Sequence, residues 1–283
     1  MKPRHAAILG LGLIGGSLAL ALKEAWPEIA IAAWDRDPDA LRVGVDRGAI
    51  DHAEREPRSA VEDADLVVVA TPVGAIEGLL GAIADALPPT AVVTDVASTK
   101  RRVCDWARDR LRPGAFVGGH PMAGSERHGI AHASADLFRG ATYCIVPGDA
   151  PASAVRAVEA IAEAIGAKPF IMSAEAHDEA VAAASHLPFL VSAALARVVM
   201  SDERWEAHRA IAAGGFRDVT RLASGDVTMH RDICLTNADA IAPWLRAMAD
   251  ELLAIADRLE DPLALDAFFE AAKSSRDAWM RDR

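Results

Sequence analysis

Along the first part of the chain, short apolar runs alternate with stretches whose apolar residues recur at helical spacing. The runs Ala6 to Leu9, Ile29 to Trp34, Leu66 to Ala70, Ala91 to Asp95 and Phe116 to Gly119 read as strands. Between them, Leu13 to Ala25, Pro38 to Asp46, Ala75 to Ala86 and Lys100 to Arg110 read as helices. This alternation predicts a parallel sheet covered by helices. A strand Thr142 to Val146, a helix near Ala152 to Ile165 and a short strand Pro169 to Met172 follow.

After Ser173 the strand-like runs disappear. Ala/Leu-rich segments with helical spacing take over, broken at Leu187-Pro188, Gly214-Gly215, Ser224-Gly225 and Pro243. The expected organisation is an α/β domain over residues 1–172 and an all-helical domain over 173–283. The last helices carry apolar faces that a second subunit can cover, so a homodimer is expected.

Apolar residues make up 52% of 283, which is a globular composition. The net charge is −11 and no basic stripe is visible, so nucleic acid is not an expected partner. Cys104, Cys144 and Cys234 are dispersed and form no CxxC pair, so neither a disulfide framework nor a metal site is expected. No apolar run reads as long and uninterrupted enough to span a bilayer, and the N-terminus lacks a signal-peptide pattern. A cytoplasmic protein with no membrane partner is expected.

Gly10-Leu11-Gly12-Leu13-Ile14-Gly15 follows an apolar strand and opens a helix, the context that a dinucleotide-binding turn requires. Gly10 permits the tight turn, Gly12 lets a pyrophosphate approach, and Gly15 allows close helix–strand packing. Leu13 and Ile14 lie in the first turn of that helix, whose amides and dipole suit an anion. Asp35 follows Gly15 by 20 residues, where a carboxylate accepts from ribose hydroxyls and repels a 2′-phosphate. NAD is therefore expected. Arg36 can stack on adenine or reach such a phosphate, which leaves NADP open. Thr71-Pro72 closes the Leu66 to Ala70 run, either as a neighbour of the nicotinamide or as a plain turn.

His120 follows a strand in Gly118-Gly119-His120-Pro121-Met122-Ala123-Gly124-Ser125-Glu126. A neutral imidazole facing a nicotinamide can take the proton of an alcohol while hydride leaves its carbon. Together the two motifs suggest an oxidoreductase acting on a hydroxyl group. Three further segments point at the same cleft: Asp95 to Lys100, Ser185 to Phe189 and Gly214 to Arg221.

In these motifs the chain resembles the prephenate/arogenate dehydrogenase family. The residues that carry the likeness are the glycine turn, DVxSxK at Asp95 to Lys100, GxHPMAGxE at Gly118 to Glu126, SHLP at Ser185 to Pro188, and GGFxDxTR at Gly214 to Arg221. The resemblance implies a Rossmann domain joined to a helical dimerisation domain, and NAD(P)-dependent oxidative decarboxylation of a dicarboxylate. It implies His120 as proton acceptor, with an imidazole pKa of about 6.5 suited to that work. Ser98 would hydrogen-bond His120 or the substrate alcohol, or cap a helix from Thr99. Arg221 would clamp a substrate carboxylate. Arg217 and Arg231 are weaker candidates for that clamp, with a surface ion pair as the alternative.

His186 would bind the pyruvyl end or hold a helix terminus. Glu126 would gate the cleft or pair with an arginine, and Asp218 would pair with a neighbouring arginine. Some relatives read SHLPH where Phe189 stands here, so a polar contact is lost. His128 stands where a small residue is common, either near the mouth or in solvent. His5, His52, His132, His177, His208 and His230 read as structural or surface, with His177-Asp178-Glu179 as a solvated helix start. No regulatory-domain pattern follows the helical segments, so a monofunctional enzyme is expected.

Two other readings stand beside this one. A 3-hydroxyacid dehydrogenase would need a helix lysine in a G-x-x-x-A-K context, yet no lysine occurs between Lys168 and Lys273. A non-catalytic NAD(H) sensor would have no need of the His120 loop together with Arg221.

Overall fold

The apolar runs assemble into one eight-stranded sheet in the computed structural model, which describes residues 2–125 and 127–281. Its strands are β1 (His5–Leu9), β2 (Ala30–Trp34), β3 (His52–Ala53), β4 (Leu66–Val69), β5 (Val92–Asp95), β6 (Phe116–Pro121), β7 (Thr142–Val146) and β8 (Lys168–Ile171). The order is β3-β2-β1-β4-β5-β6-β7-β8, with β1 and β4 adjacent. The chain order reverses between these two strands, which opens a crevice at their carboxyl ends.

The helices of this region are α1 (Leu13–Ala25), α2 (Pro38–Asp46), α3 (Pro57–Val61), α4 (Val73–Ile83), α5 (Arg101–Arg110) and α6 (Ala152–Ala164). Successive strand residues feed opposite faces. Ile8, Ile31 and Val68 join Leu18 and Leu22 of α1 and Val158 of α6 in one core. Leu9, Val67 and Val69 join Ile76 and Leu80 of α4 and Val103 of α5 in the other. β1 after His5 and all of β4 are apolar because both of their faces are covered.

The sheet is not wholly parallel. β7 runs antiparallel to β6 and parallel to β8. Among the described residues, two short 3-10 turns, Ile130–His132 and Ala135–Phe138, lie between β6 and β7, and an antiparallel return needs no crossover helix. β3 and α3 do not emerge from the hydrophobic pattern; the strand is two residues long and exposed.

α7 (Ala174–Val181), a π-helical turn (Ala182–His186) and α8 (Leu187–Met200) make one continuous helical run. Contrary to the expected break, Pro188 sits in the first turn of α8, where a missing N–H is tolerated. The run Ala174–Met200 therefore has the length and mean hydropathy, 1.5, of a membrane span, which the sequence reading did not foresee. Its first turns hold His177, Asp178 and His186 fully buried in a polar network. α9 (Trp205–His208), α10 (Gly214–Thr220) and α11 (Val227–Thr236) follow.

The chain divides into two units, Met1–Ala238 and Asp239–Arg283. The second is built from α12 (Ala238–Ala256) and α13 (Pro262–Arg281). Pro243 lies inside α12 rather than breaking it. Within this unit Phe268 and Phe269 meet edge to face at 5.1 Å, while Leu252, Leu253, Leu263 and Phe269 are exposed.

Candidate active site

The loops that leave β1, β4, β5 and β6 all emerge at one edge of the sheet, because these strands are parallel. The first is the glycine turn. Gly10 has φ +101°, a conformation that L side chains rarely adopt, and a Cβ there would lie 2.6 Å from Ala70 O. A Cβ on Gly15 would lie 2.0 Å from Gly10 O, so only glycine lets α1 approach the turn. Above Gly12 the space is open, and as N-cap of α1 it supplies no side-chain cap. Uncapped amides at an open helix start fit a pyrophosphate. Thr71 Oγ1, just after β4, is buried without a hydrogen-bond partner among the described residues.

Asp35 accepts from Leu11 N (2.6 Å) through Oδ2 and from Asp37 N (2.8 Å) through Oδ1. It thereby ties the glycine turn to the end of β2, and each carboxylate oxygen keeps acceptor capacity for a ribose. Arg36 is exposed beside it, and Ile14 packs against the core below. The turn, the acid and the free helix start fit a dinucleotide.

His120 lies near the end of β6, only 8% exposed. Asp95, at the end of β5, holds this strand by accepting from Gly119 N at 3.0 Å. Asp95 also accepts from Ala97 N at 2.9 Å and pairs with the buried Lys100 ammonium. The loop that carries Ser98 is thus closed between an acid and a lysine that are both sealed from water. Removing either member of such a pair would leave an uncompensated buried charge.

His120 Nδ1 lies 2.8 Å from His177 Nε2, and His177 Nδ1 lies 2.8 Å from Asp178 Oδ1. Asp178 further accepts from Lys100 N (2.7 Å) and Arg101 N (3.0 Å). His177-Asp178 is therefore not a solvated helix start: both residues are fully buried where α7 packs on the start of α5, and only Glu179 faces solvent. Burial holds His120 well below the ordinary imidazole pKa, with the charges of His177, Lys100 and His186 adding to it. His177 is also lowered by burial, partly offset by Asp178. Burial alone would raise Asp178, but the His177 ring and the Arg101 and Lys100 amides bring it below the carboxylate norm.

His186 is fully buried in the π-helical turn. Its Nδ1 lies 3.3 Å from Asn237 Nδ2, which also donates to Asp178 O at 2.8 Å. An amide N–H only donates, so the proton of neutral His186 sits on Nε2. That nitrogen is buried with no close side-chain hydrogen bond among the described residues, and the backbone of Ser98 faces the ring as an acceptor. Burial pushes the His186 pKa down to about 4.

Ser98 is half-buried in the loop after β5. It is not the cap of α5, whose N-cap is Lys100, and Nδ1 of His120 is occupied by His177. Arg221 is exposed and begins a 3-10 turn, Arg221–Ser224, pinned to α8 by Ala223 N donating to Ser192 Oγ at 3.1 Å. Arg217 pairs with Asp218 at 3.5 Å on the surface. Arg231 pairs with Asp232 at 2.7 Å, and Asp232 also accepts from Gly74 N at the start of α4. His128 is exposed, and Glu126 lies outside the described residues.

The sequence reading placed Asp95 and Lys100 in a cleft segment without giving either a role, and it missed the roles of His177, Asp178 and Asn237. A charged residue closing an apolar run, as Asp95 does, is the one available signal for burial; the others are buried by tertiary packing.

A family model described as prephenate dehydrogenase, nucleotide-binding domain, matches residues 18–171. A second, described as prephenate dehydrogenase, dimerization domain, matches residues 173–273. The chain is 37% identical over 279 residues to a prephenate dehydrogenase of Bacillus subtilis, covering 95% of this chain and 74% of that one. It is 33% identical over 287 residues to a cyclohexadienyl dehydrogenase of Zymomonas mobilis, covering 97% and 94%. A solved prephenate dehydrogenase from A. aeolicus, in complex with hydroxyphenyl propionate and NAD+, superposes with a TM-score of 0.89 at 27% identity, covering 99% and 98%.

Proposed function

The chain belongs to the prephenate dehydrogenase family, and on that premise we propose that it catalyses NAD-linked oxidative decarboxylation of prephenate, arogenate or both. The observation that carries the reading is His120: a neutral imidazole, held at the sheet edge that bears the glycine turn, with Nε2 uncommitted among the described residues.

Bound NAD+ supplies the acceptor for the hydride that leaves the carbinol carbon of the ring. Gly10, Gly12 and Gly15, with the amides of Leu13 and Ile14, hold its pyrophosphate. Asp35 binds the adenosine ribose, and Thr71-Pro72 lies by the nicotinamide half. The preference for NAD over NADP rests on the Asp35 carboxylate. His120 Nε2 takes the alcohol proton as the carbonyl forms. Loss of carbon dioxide then makes the ring aromatic, which drives the reaction forward.

Ser98 hydrogen-bonds the substrate hydroxyl. Arg221 clamps a carboxylate, with Arg217 as a second cation, and His186 donates from Nε2 to a side-chain oxygen. The division into domains at residues 172 and 173 and a cytoplasmic location belong to the same proposal. So does a homodimer in which a second copy covers the exposed apolar residues of α12 and α13. Replacing His120 by Asn should abolish NADH formation while NAD+ still binds; full turnover in that variant would refute the assignment.

A further inference from the structure

His120 is the first of three buried residues in a hydrogen-bonded row, and the row fixes where its proton sits. Asp178 is an ionised acceptor at neutral pH, for its carboxyl is held below the usual range. A carboxylate can only accept, so the proton of neutral His177 lies on Nδ1, 2.8 Å from Asp178 Oδ1. His177 Nε2 is then an acceptor. His120, 2.8 Å away through Nδ1, must be the donor. The lone pair of His120 is left on Nε2.

We propose that His177 and Asp178 are positioning residues that lock His120 in its Nδ1–H tautomer and offset the positive charge it gains on accepting a proton at Nε2. The inference rests on the proposed dehydrogenation. In that step the substrate O–H bond breaks and an Nε2–H bond forms on His120. The Nδ1–H bonds of both histidines stay intact. The new imidazolium donates along the row toward a carboxylate that is fully buried.

The electrostatics give this row a task. His177, Lys100 and His186 all face His120, and each disfavours a charge there. His177 in turn is faced by Asp178, Lys100 and Asp95. Burial and the three basic neighbours would make His120 a poor base on their own. The carboxylate at the far end of the row acts the other way and reaches His120 only through the His177 ring. A base oriented by a third group is a recurring arrangement in nucleophile and base activation.

Asp178 also accepts the amides of Lys100 and Arg101, so loss of activity alone would not separate orientation from loop anchoring. The test therefore reads the tautomer. Full-length protein labelled with 15N-histidine is compared as wild type, His177→Gln and His177→Leu, with His120→Asn to assign the ring signals. NAD+ affinity and melting temperature are recorded for each. Wild type should show His120 protonated on Nδ1 and bare on Nε2. His177→Gln offers a carbonyl oxygen in place of Nε2; it should keep that tautomer and stay within about tenfold of wild-type kcat. His177→Leu offers no acceptor; it should lose the fixed tautomer and fall by roughly 10²-fold in kcat with NAD+ affinity kept.

A wild-type His120 protonated on Nε2 would overturn the proposal, as would wild-type turnover in His177→Leu. If His177→Leu does not fold, the wild-type spectrum and His177→Gln decide the matter. If the wild type is silent with prephenate and arogenate, the dehydrogenase reading fails, whereas the tautomer spectrum still tests the row.

Discussion

Phe189 lies flat on His230, with ring centroids 4.1 Å apart and planes 2° from parallel. The His186 ring sits 6.0 Å away on the other contact. Phe189 stands where some relatives carry a histidine, and the expected loss of a polar contact there is matched by a packing role. The phenyl ring is 6% exposed and joins α8 to α11 across two imidazoles. Phe189→Ala should therefore destabilise the protein by about 3 kcal/mol, the usual scale for deleting a buried phenyl ring. Denaturant titration reads this, and an unchanged midpoint would show that the stack contributes little.

His120→Asn should lower kcat by at least about 10²-fold, the contribution expected of a positioned general base. NAD+ affinity, measured by calorimetry, should be unaffected because the glycine turn is untouched. Equal losses in both quantities would place His120 in cofactor binding instead.

Acid should cost both activity and stability, in the same direction. The folded pKa values of His120, His177 and His186 all lie below the ordinary imidazole value of 6.5. As the pH falls below that value, unfolded imidazoles take up protons before folded ones do, so stability is complete above it and declines beneath it. His186, at about 4, accounts for on the order of 3 kcal/mol of that decline. The lowered carboxyl of Asp178 adds a further loss only below the ordinary aspartate value of 3.8. The denaturant midpoint should be lower at pH 5 than at pH 7.5. The acid limb of kcat/KM should likewise lie below 6.5 for the free enzyme. A midpoint unchanged between the two pH values would mean that these histidines are not buried neutral.

Gly15→Ala should impair NAD+ binding and folding together. The new Cβ would meet Gly10 O at 2.0 Å, and backbone must shift to relieve it. Overpacking of this kind costs about 1–3 kcal/mol. Wild-type NAD+ affinity in this variant would show that the turn is looser than its geometry indicates.

Asp35→Ala should raise the KM for NAD+ and narrow its advantage over NADP+. The substitution removes the carboxylate that would repel a 2′-phosphate, and with it the bond to Leu11 N. An unchanged cofactor ratio would shift the choice of cofactor to other residues such as Arg36.

Local pattern made part of this molecule legible. Val67 and Val69 announce a strand because an uninterrupted apolar run leaves no polar face, and Gly10 to Gly15 announce a phosphate turn because only glycine fits there. Strand direction is not encoded in such runs, so the antiparallel β7 was invisible. Nor is burial of polar residues. His177 and Asp178 look like a helix start until α7 packs on the first turn of α5, and Asn237 gains its role only when the end of α11 reaches His186 and Asp178. Pro188 was read as a break because sequence alone does not show that the π-helical turn carries the chain through it.

The most direct test of the account is NAD(P)H formation by the purified protein with prephenate and with arogenate, each paired with NAD+ and with NADP+. Turnover with at least one of the two substrates is expected, and faster with NAD+ than with NADP+. No turnover in any of the four pairings, with NAD+ still bound, would contradict it and leave the likeness confined to the fold.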